Sequence, residues 1–105
     1  MATWHVYLIR TRHGALYTGI ATDVSRRLKE HEQGGDRGAK YLRSKGPLQL
    51  VYQAEIGTRA LALKAECAIK KFSKRKKEKL VAAGLSGRSL LELLKARPKI
   101  STPGL

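Results

Sequence analysis

Residues 4–21 have the sequence WHVYLIRTRHGALYTGIA, and this segment decides the fold. Aromatic and branched residues predict two β-strands, at residues 4–11 and 15–21. Between them lies the three-residue loop 12–14, in which Gly14 supplies a left-handed backbone conformation. The segment is therefore predicted to form a β-hairpin.

The length of this loop decides which side chains share a face of the hairpin. With three loop residues, Ile9 lies opposite Tyr17 and Tyr7 lies opposite Gly19. Tyr7 and Tyr17 then become diagonal neighbours on one face. A two-residue turn would place them on opposite faces. The hairpin register therefore tests whether the two phenols can act on one substrate.

An amphipathic helix is predicted after the hairpin. Thr22 or Asp23 caps its start, and a glycine pair at residues 34–35 ends it. On a helical wheel three residues point the same way, namely Val24, Leu28 and His31. Arg27 lies at the edge of that stripe. Arg27 and His31, one turn apart, are therefore expected to border the core.

The remaining predicted elements are a basic glycine-rich loop at residues 32–47, a strand at 48–56, a helix at 59–72 capped by Thr58, and a helix from Ser73 to near Gly84. Leucines at 90–94 predict a short last helix that Pro98 stops, followed by a frayed tail. The predicted domain covers residues 1–84, with a short helix and flexible tail at 85–105. We predict a small α/β (α+β) domain with a three-stranded, mainly antiparallel sheet flanked by helices.

The composition favours a polyanionic partner. Lys and Arg number 22 against 8 acidic residues in a chain of 105, which gives a net charge of +14 and a pI near 10.4. Such an excess is typical of proteins that bind nucleic acid. No lipidation motif or basic amphipathic anchor indicates a membrane partner. The single cysteine, Cys67, excludes an internal disulfide and favours a cytoplasmic location. The oligomeric state is left open.

Two basic segments are predicted to contact phosphates. Between residues 70 and 79, seven of ten positions are cationic, which exceeds what solubility requires. The candidate nucleic-acid-binding residues are Arg37, Lys40, Arg43 and Lys45 in the loop, and Lys70, Lys71, Lys74, Arg75, Lys76 and Lys77 in the cluster. No base-reading motif accompanies them, so we expect recognition of backbone or shape.

Glu66 lies at the margin of an apolar arc on the second predicted helix, an arc formed by Leu61, Ala62, Ala65, Ile69 and Phe72. A carboxylate beside the core needs a cation or a metal as its partner. A salt bridge to Arg27 or to a neighbouring lysine is therefore the structural alternative to a metal-binding role. His and Cys residues show no zinc-ligand spacing, and the glycines before Lys40 lack the remainder of a P-loop.

The order of these motifs resembles that of the GIY-YIG nuclease family, and it looks closest to the small stand-alone bacterial members with a single domain. The two triplets that name the family fall on His5-Val6-Tyr7 and Tyr17-Thr18-Gly19. The helix signature Arg27-x-x-x-His31 and an acid at Glu66 follow in the family's order, so the resemblance covers residues 4–80. His5 replaces the first glycine and Thr18 the central isoleucine. The late asparagine of many members has no match, because the chain contains no asparagine.

This resemblance implies a divalent-metal-dependent endonuclease that hydrolyses DNA phosphodiester bonds, with a role in DNA repair or processing. The implied catalytic residues are Tyr7, Tyr17, Arg27, His31 and Glu66. A phenolic oxygen of Tyr17 or Tyr7 orients or deprotonates the attacking water, with its pKa lowered by Arg27 and a metal. Arg27 also holds the phosphate through forked hydrogen bonds, and His31 positions or relays a proton or contacts phosphate. Glu66 binds a single Mg²⁺ or Mn²⁺, since the set offers only one carboxylate.

Two other functions fit the same charge. The first is a non-catalytic basic module that binds DNA or structured RNA, which the absence of asparagine favours. The second is an accessory protein that binds a protein–nucleic-acid assembly through the basic cluster at residues 70–79. Each interpretation predicts binding without hydrolysis.

Overall fold

A computed structural model describes residues 2–33 and 47–100, apart from the side chains of residues 33 and 96–100. Its elements are β1 (Trp4–Arg10), β2 (Leu16–Ala21), α1 (Val24–Gln33), β3 (Gln49–Gly57), α2 (Arg59–Lys70), α3 (Lys74–Ala83) and α4 (Gly87–Ile100). The strands form one antiparallel sheet in the order β2-β1-β3. The predicted α+β class and three-stranded sheet are confirmed. The predicted loop residues Arg37, Lys40, Arg43 and Lys45 lie outside the described residues.

The hairpin has the register that the loop length predicts. Ile9 pairs with Tyr17, and Tyr7 pairs with Gly19. Gly14 adopts a φ of 86°, and its N–H donates to the carbonyl of Thr11 at 2.9 Å. The three-residue loop with a left-handed glycine is thus confirmed, and it places both phenols on the same face of the sheet.

The helices cover the two faces of the sheet unequally. Val6 and Leu8 of β1 point into a core cluster completed by Tyr52, Ala54, Ile69, Phe72, Leu80 and Leu90. This cluster draws on α2, α3 and α4. Tyr7 and Ile9 point to the opposite face, where they pack with Ala21, Val24 and Leu48. Helix α1 therefore covers the face that carries the two tyrosines.

Local capping fixes the ends of the helices. Asp23 Oδ1 accepts a hydrogen bond from the backbone N–H of Arg26 at 3.1 Å, so Asp23 and not Thr22 caps α1. Thr58 and Ser73 cap α2 and α3 in the same way. Gly84 ends α3 in a left-handed conformation. The caps predicted for α2 and α3 are confirmed.

The prediction that Pro98 stops the last helix is wrong. Helix α4 begins at Gly87 and continues past Pro98 to Ile100. A proline two residues from a helix end removes a single backbone hydrogen bond, and Leu90, fully buried in the core, anchors the helix upstream.

The prediction that Leu61 belongs to the apolar arc of α2 is also wrong, because this residue is 41% exposed. The buried positions of α2 are Ala62, Ala65 and Ile69, and Leu61 lies about 70° from the centre of that arc.

Within the described part of the chain, the helices are too short or too polar to cross a membrane. Leu90 makes α4 part of the core of the fold, although it lies beyond the predicted domain boundary at residue 84.

Candidate active site

The site is built around the phenol of Tyr7. Its side chain leaves the central strand β1 toward α1 and is 2% exposed. The hydroxyl oxygen lies 3.0 Å from Nε2 of His31, which is itself 1% exposed. A buried hydrogen bond of this kind holds both rings in fixed orientations, because leaving either polar atom unpaired would cost about 1–3 kcal/mol.

Gly19 makes room for this phenol. It lies directly opposite Tyr7 in the hairpin, and a Cβ atom placed on it would come within 2.6 Å of Cζ of Tyr7. A side chain at this position would push the tyrosine away from His31. Sequence reasoning paired the two residues but missed this steric role, although the glycine of the second triplet was the available signal.

Arg27 joins the pair from α1. Its side chain is 31% exposed, hydrogen-bonds to the Tyr7 hydroxyl and forms an ion pair with Glu30 at 3.2 Å. A guanidinium can only donate, so the Tyr7 oxygen accepts from Arg27, while the donor in the Tyr7–His31 hydrogen bond is set by the tautomer of His31. The three side chains form a continuous chain of hydrogen bonds.

Burial, followed by the nearby phenol of Tyr17, raises the pKa of Tyr7 to about 12. Arg27 acts in the opposite direction but is outweighed by the loss of hydration. Arg27 thus has the expected effect on Tyr7, but burial outweighs it and the pKa of this phenol stays above its ordinary value. Tyr7 therefore remains protonated at neutral pH.

Tyr17 is the more accessible of the two phenols. Its ring meets that of His31 edge to face, with centroids 5.8 Å apart and an interplanar angle of 77°. The residue is half-buried, whereas Tyr7 is almost completely enclosed. Of the two tyrosines, Tyr17 is thus the one that can reach a solvent-borne substrate.

Glu66 approaches the same group from α2. Its charge contributes to the raised pKa of Tyr7, as the smallest of the causes, so the carboxylate lies within electrostatic reach of the phenol. Its side chain is 18% exposed and forms an ion pair with Lys70 at 3.4 Å. The structure thus brings together all five predicted catalytic side chains. It also contains the salt bridge to a neighbouring lysine that was the structural alternative for Glu66.

The donor atoms at this point suit one hard cation. Residues 2–33 and 47–100 contain no group of three His, Cys, Asp or Glu side chains that could enclose a metal. Mg²⁺ is commonly held through one or two carboxylates together with water and substrate phosphates. A partly exposed Glu66 within electrostatic reach of the Tyr7 phenol fits that requirement, and one carboxylate fits a single ion better than a pair.

The predicted basic cluster lies on the surface of the fold. Lys70, Lys71, Lys74, Arg75 and Lys76 are exposed, and Lys77 is half-buried. Helix α3 is fastened to β1 by the paired hydrogen bonds of Arg10 to Glu78, at 2.7 and 2.8 Å. Lys74 and Lys77 line a shallow cleft together with Leu16 and the hairpin loop. Lys74 and Lys77 therefore lie next to β2, the strand that carries Tyr17.

Residues 3–79 match the GIY-YIG catalytic domain family. The chain belongs to the GIY-YIG family. The resemblance seen in the motifs is thereby confirmed, and the match includes all five candidate residues. This domain defines a nuclease superfamily, and its members in general bind nucleic acid.

Curated relatives have a similar length. The chain is 52% identical to a UPF0213 protein of Citrobacter koseri over 94 residues, covering 90% of this chain and 92% of the relative. It is 50% identical to the UPF0213 protein YhbQ of Escherichia coli K12 over 102 residues, covering 97% and 99%. These names state no activity.

Two solved structures share the fold. A UPF0213 protein of Bacillus halodurans, solved by NMR, is 41% identical with a TM-score of 0.50, over 77% of this chain and 84% of that one. A protein of E. faecalis, also solved by NMR, is 29% identical with a TM-score of 0.56, over 79% and 86%. These similarities agree with the architecture described above.

Proposed function

We propose that this protein is a divalent-metal-dependent nuclease that hydrolyses DNA phosphodiester bonds, with a role in DNA repair or processing in the cytoplasm. The observation that supports this most directly is the convergence of the Arg27–Tyr7–His31 hydrogen-bonded chain with Tyr17 and Glu66. Phosphodiester cleavage needs a positioned water, charge stabilisation on the phosphoryl oxygens and assistance to the leaving oxygen. The site offers groups for each of these tasks.

Each residue has a distinct part in the proposed reaction. Arg27 binds the scissile phosphate, because its guanidinium is partly exposed and can donate a forked pair of hydrogen bonds. Tyr7 and His31 hold that guanidinium in place from the buried side. Tyr17 orients the attacking water through its accessible phenol. Glu66 would hold one Mg²⁺ or Mn²⁺, which supplies charge stabilisation and lowers the pKa of bound water.

A cleavage assay on matched variants tests this assignment. Plasmid and single-stranded DNA are incubated with Mg²⁺ or Mn²⁺ and with wild type, Glu66→Ala or Arg27→Ala. We expect each substitution to reduce the cleavage rate by roughly 10²-fold or more, because each removes a group that stabilises the transition state. Glu92→Ala and Arg88→Ala, exposed positions on α4, are the controls and should cut at the wild-type rate.

Two outcomes of the assay contradict the proposal. Cutting that survives Glu66→Ala would locate the chemistry elsewhere. Binding of DNA without cutting in either metal would favour the non-catalytic module, for DNA or structured RNA. One observation supports that second function: Glu66 already has a cationic partner in Lys70 at 3.4 Å.

A further inference from the structure

A cleft of about 400 Å³ opens beside the candidate active site, at the end of β1 and β2 away from the hairpin loop. Its walls include Trp4 at the start of β1, Arg26 and Arg27 of α1, and Arg59 at the start of α2. Arg27 belongs to both places, since it lines the cleft and hydrogen-bonds to Tyr7. A phosphate bound at Arg27 would therefore sit at the mouth of this cleft.

The charges in the cleft favour an anion. Glu30 forms ion pairs with Arg26 at 3.3 Å and with Arg27 at 3.2 Å, and so it partly neutralises both. Asp23 is engaged in capping α1. Arg59 forms no ion pair with any residue of the described ranges 2–33 and 47–100. Its positive charge is thus available to a phosphate.

The cleft also offers flat surfaces. The guanidinium of Arg59 lies 5.6 Å from the centroid of the indole ring of Trp4, and Trp4 is half-buried. Aromatic rings and guanidinium planes are the groups on which proteins stack unpaired bases. A cavity of about 400 Å³ falls within the usual range for small-molecule sites. The cleft therefore combines a stacking platform with a cation.

Helix α2 connects this cleft to the candidate metal carboxylate. Arg59, Glu66 and Lys70 lie on one stripe of the helix, because their spacings of seven and four residues are near whole numbers of turns. Along the axis Arg59 lies about 10 Å before Glu66, and Lys70 about 6 Å beyond it. A strand laid along this stripe would meet a cation on each side of the point of cleavage.

We propose that the Trp4–Arg59 cleft binds an unpaired nucleotide adjacent to the phosphate held at Arg27, with its base stacked on Trp4 or Arg59 and its phosphate contacting Arg59 or Arg26. The position of the scissile phosphate in this statement rests on the proposed nuclease function. A base that is paired inside a duplex cannot enter the cleft. Strands with an unpaired nucleotide at this position are therefore the preferred ligands.

The chain itself supplies a probe of this site, because Trp4 is its only tryptophan. We titrate the wild-type protein in EDTA with an oligothymidylate, with an abasic oligomer of the same length and charge, and with a blunt duplex, and we record the tryptophan fluorescence. The oligothymidylate should change the fluorescence saturably and bind about tenfold more tightly than the abasic oligomer, because only it can stack. The duplex should change the fluorescence little.

Variants separate stacking from charge. In anisotropy titrations with labelled oligomers, Trp4→Ala should remove the preference for the base-containing strand, and Trp4→Phe should restore most of it. Arg59→Ala should weaken binding of both oligomers, whereas Arg88→Ala, an exposed arginine on α4, should leave them unchanged. Circular dichroism establishes that each variant is folded, and the wild-type fluorescence titration needs no variant.

The outcomes distinguish this proposal from the nuclease function. Equal affinity of wild type for the base-containing and abasic strands overturns the cleft proposal, as does an equal fluorescence change with duplex. If the protein cuts DNA but shows no base dependence, the nuclease function stands and the cleft proposal fails. If it shows base-dependent fluorescence but cuts no DNA with either metal, the cleft remains a nucleotide-binding site and the nuclease function fails.

Discussion

Gly19 and Tyr7 show how one missing Cβ atom shapes the candidate site. The two residues face each other in the hairpin, and the phenol occupies the space that any side chain at Gly19 would fill. The tyrosine can therefore lie close to the sheet and reach both His31 and Arg27. The glycine contributes to the site by its shape, without offering any reactive group.

The substitution Gly19→Ala tests this steric role. The new methyl group would lie 2.6 Å from Cζ of Tyr7, so the ring must move and the hydrogen bond to His31 must lengthen or break. We expect a loss of about 1–3 kcal/mol in the free energy of unfolding from overpacking. Cleavage should fall by at least the factor caused by Tyr7→Phe, which removes only the hydroxyl. Urea unfolding and the cleavage assay measure both quantities, and a Gly19→Ala variant with wild-type activity would refute the steric argument.

Two buried tyrosines predict a loss of stability at alkaline pH. Burial raises the pKa of both Tyr7 and Tyr52 to about 12, and the Tyr52 hydroxyl donates to the carbonyl of Leu85 at 2.7 Å. The unfolded chain loses these protons near pH 10. The stabilisation is therefore complete below pH 10 and is lost as pH rises toward 12. Each tyrosine accounts for roughly 2–3 kcal/mol of this stabilisation.

Urea unfolding at pH 9 and 11 measures this loss. The free energy of unfolding should fall less for Tyr52→Phe than for wild type, and equal losses would contradict the assignment of a raised pKa to Tyr52.

Helix α3 is held to the sheet by a side-chain clamp in addition to its apolar contacts. Arg10 of β1 donates two hydrogen bonds to the carboxylate of Glu78, and Lys74 adds a third contact at 3.3 Å. The Arg10 guanidinium, followed by Lys74, lowers the pKa of Glu78 to about 2. The basic helix is thus oriented by one of the few acidic residues of the chain.

This clamp should weaken in acid. A carboxylate with a lowered pKa stabilises the fold fully above its unfolded pKa of about 4.5, and the contribution is lost as pH falls toward 2. The melting temperature of wild type should therefore drop between pH 5 and pH 2 more than that of Glu78→Gln, which lacks the clamp at every pH. Thermal scans by circular dichroism provide the comparison. Glu92→Gln, an exposed acid on α4, is the control and should follow wild type.

The elements that could be predicted from the sequence are those fixed by local chemistry. The hairpin register follows from a three-residue loop, and the starts of α2 and α3 follow from Thr58 and Ser73. The end of α4 could not be predicted in this way, because core packing by Leu90 sustains a helix that contains a proline. The site was predictable as a set of residue types, of which the hairpin and α1 supply four from one face of the sheet and α2, which packs on the other face, supplies Glu66. The raised pKa of Tyr7 could not be predicted, because it depends on the burial of this residue in the folded protein.

Part of the positive charge of this protein, whose net value is +14, lies on two sides of the candidate site. Arg26, Arg27 and Arg59 line the cleft at one end, and the cations of α3 extend from the hairpin loop at the other. This arrangement would let a nucleic acid strand contact cations on both sides of the phosphate that is cut. Placement of charge, and not its total, should then determine affinity.

Salt dependence can distinguish placement from total charge. Each cation that contacts a phosphate adds about 0.9 to the slope of log K against log salt for duplex DNA, and about 0.7 for a single strand. In the test variant, Lys74, Lys76 and Lys77 are changed to Gln. This variant should flatten the slope for duplex DNA by about 2 to 3, and the lower value is expected because Lys74 already pairs with Glu78.

The matched control changes three lysines that are exposed elsewhere, and it lowers the net charge by the same amount; they are Lys29, Lys64 and Lys95. Its slope should change by less than about 1. Equal flattening in both variants would mean that the protein responds only to its total charge, and α3 would no longer be a specific contact surface.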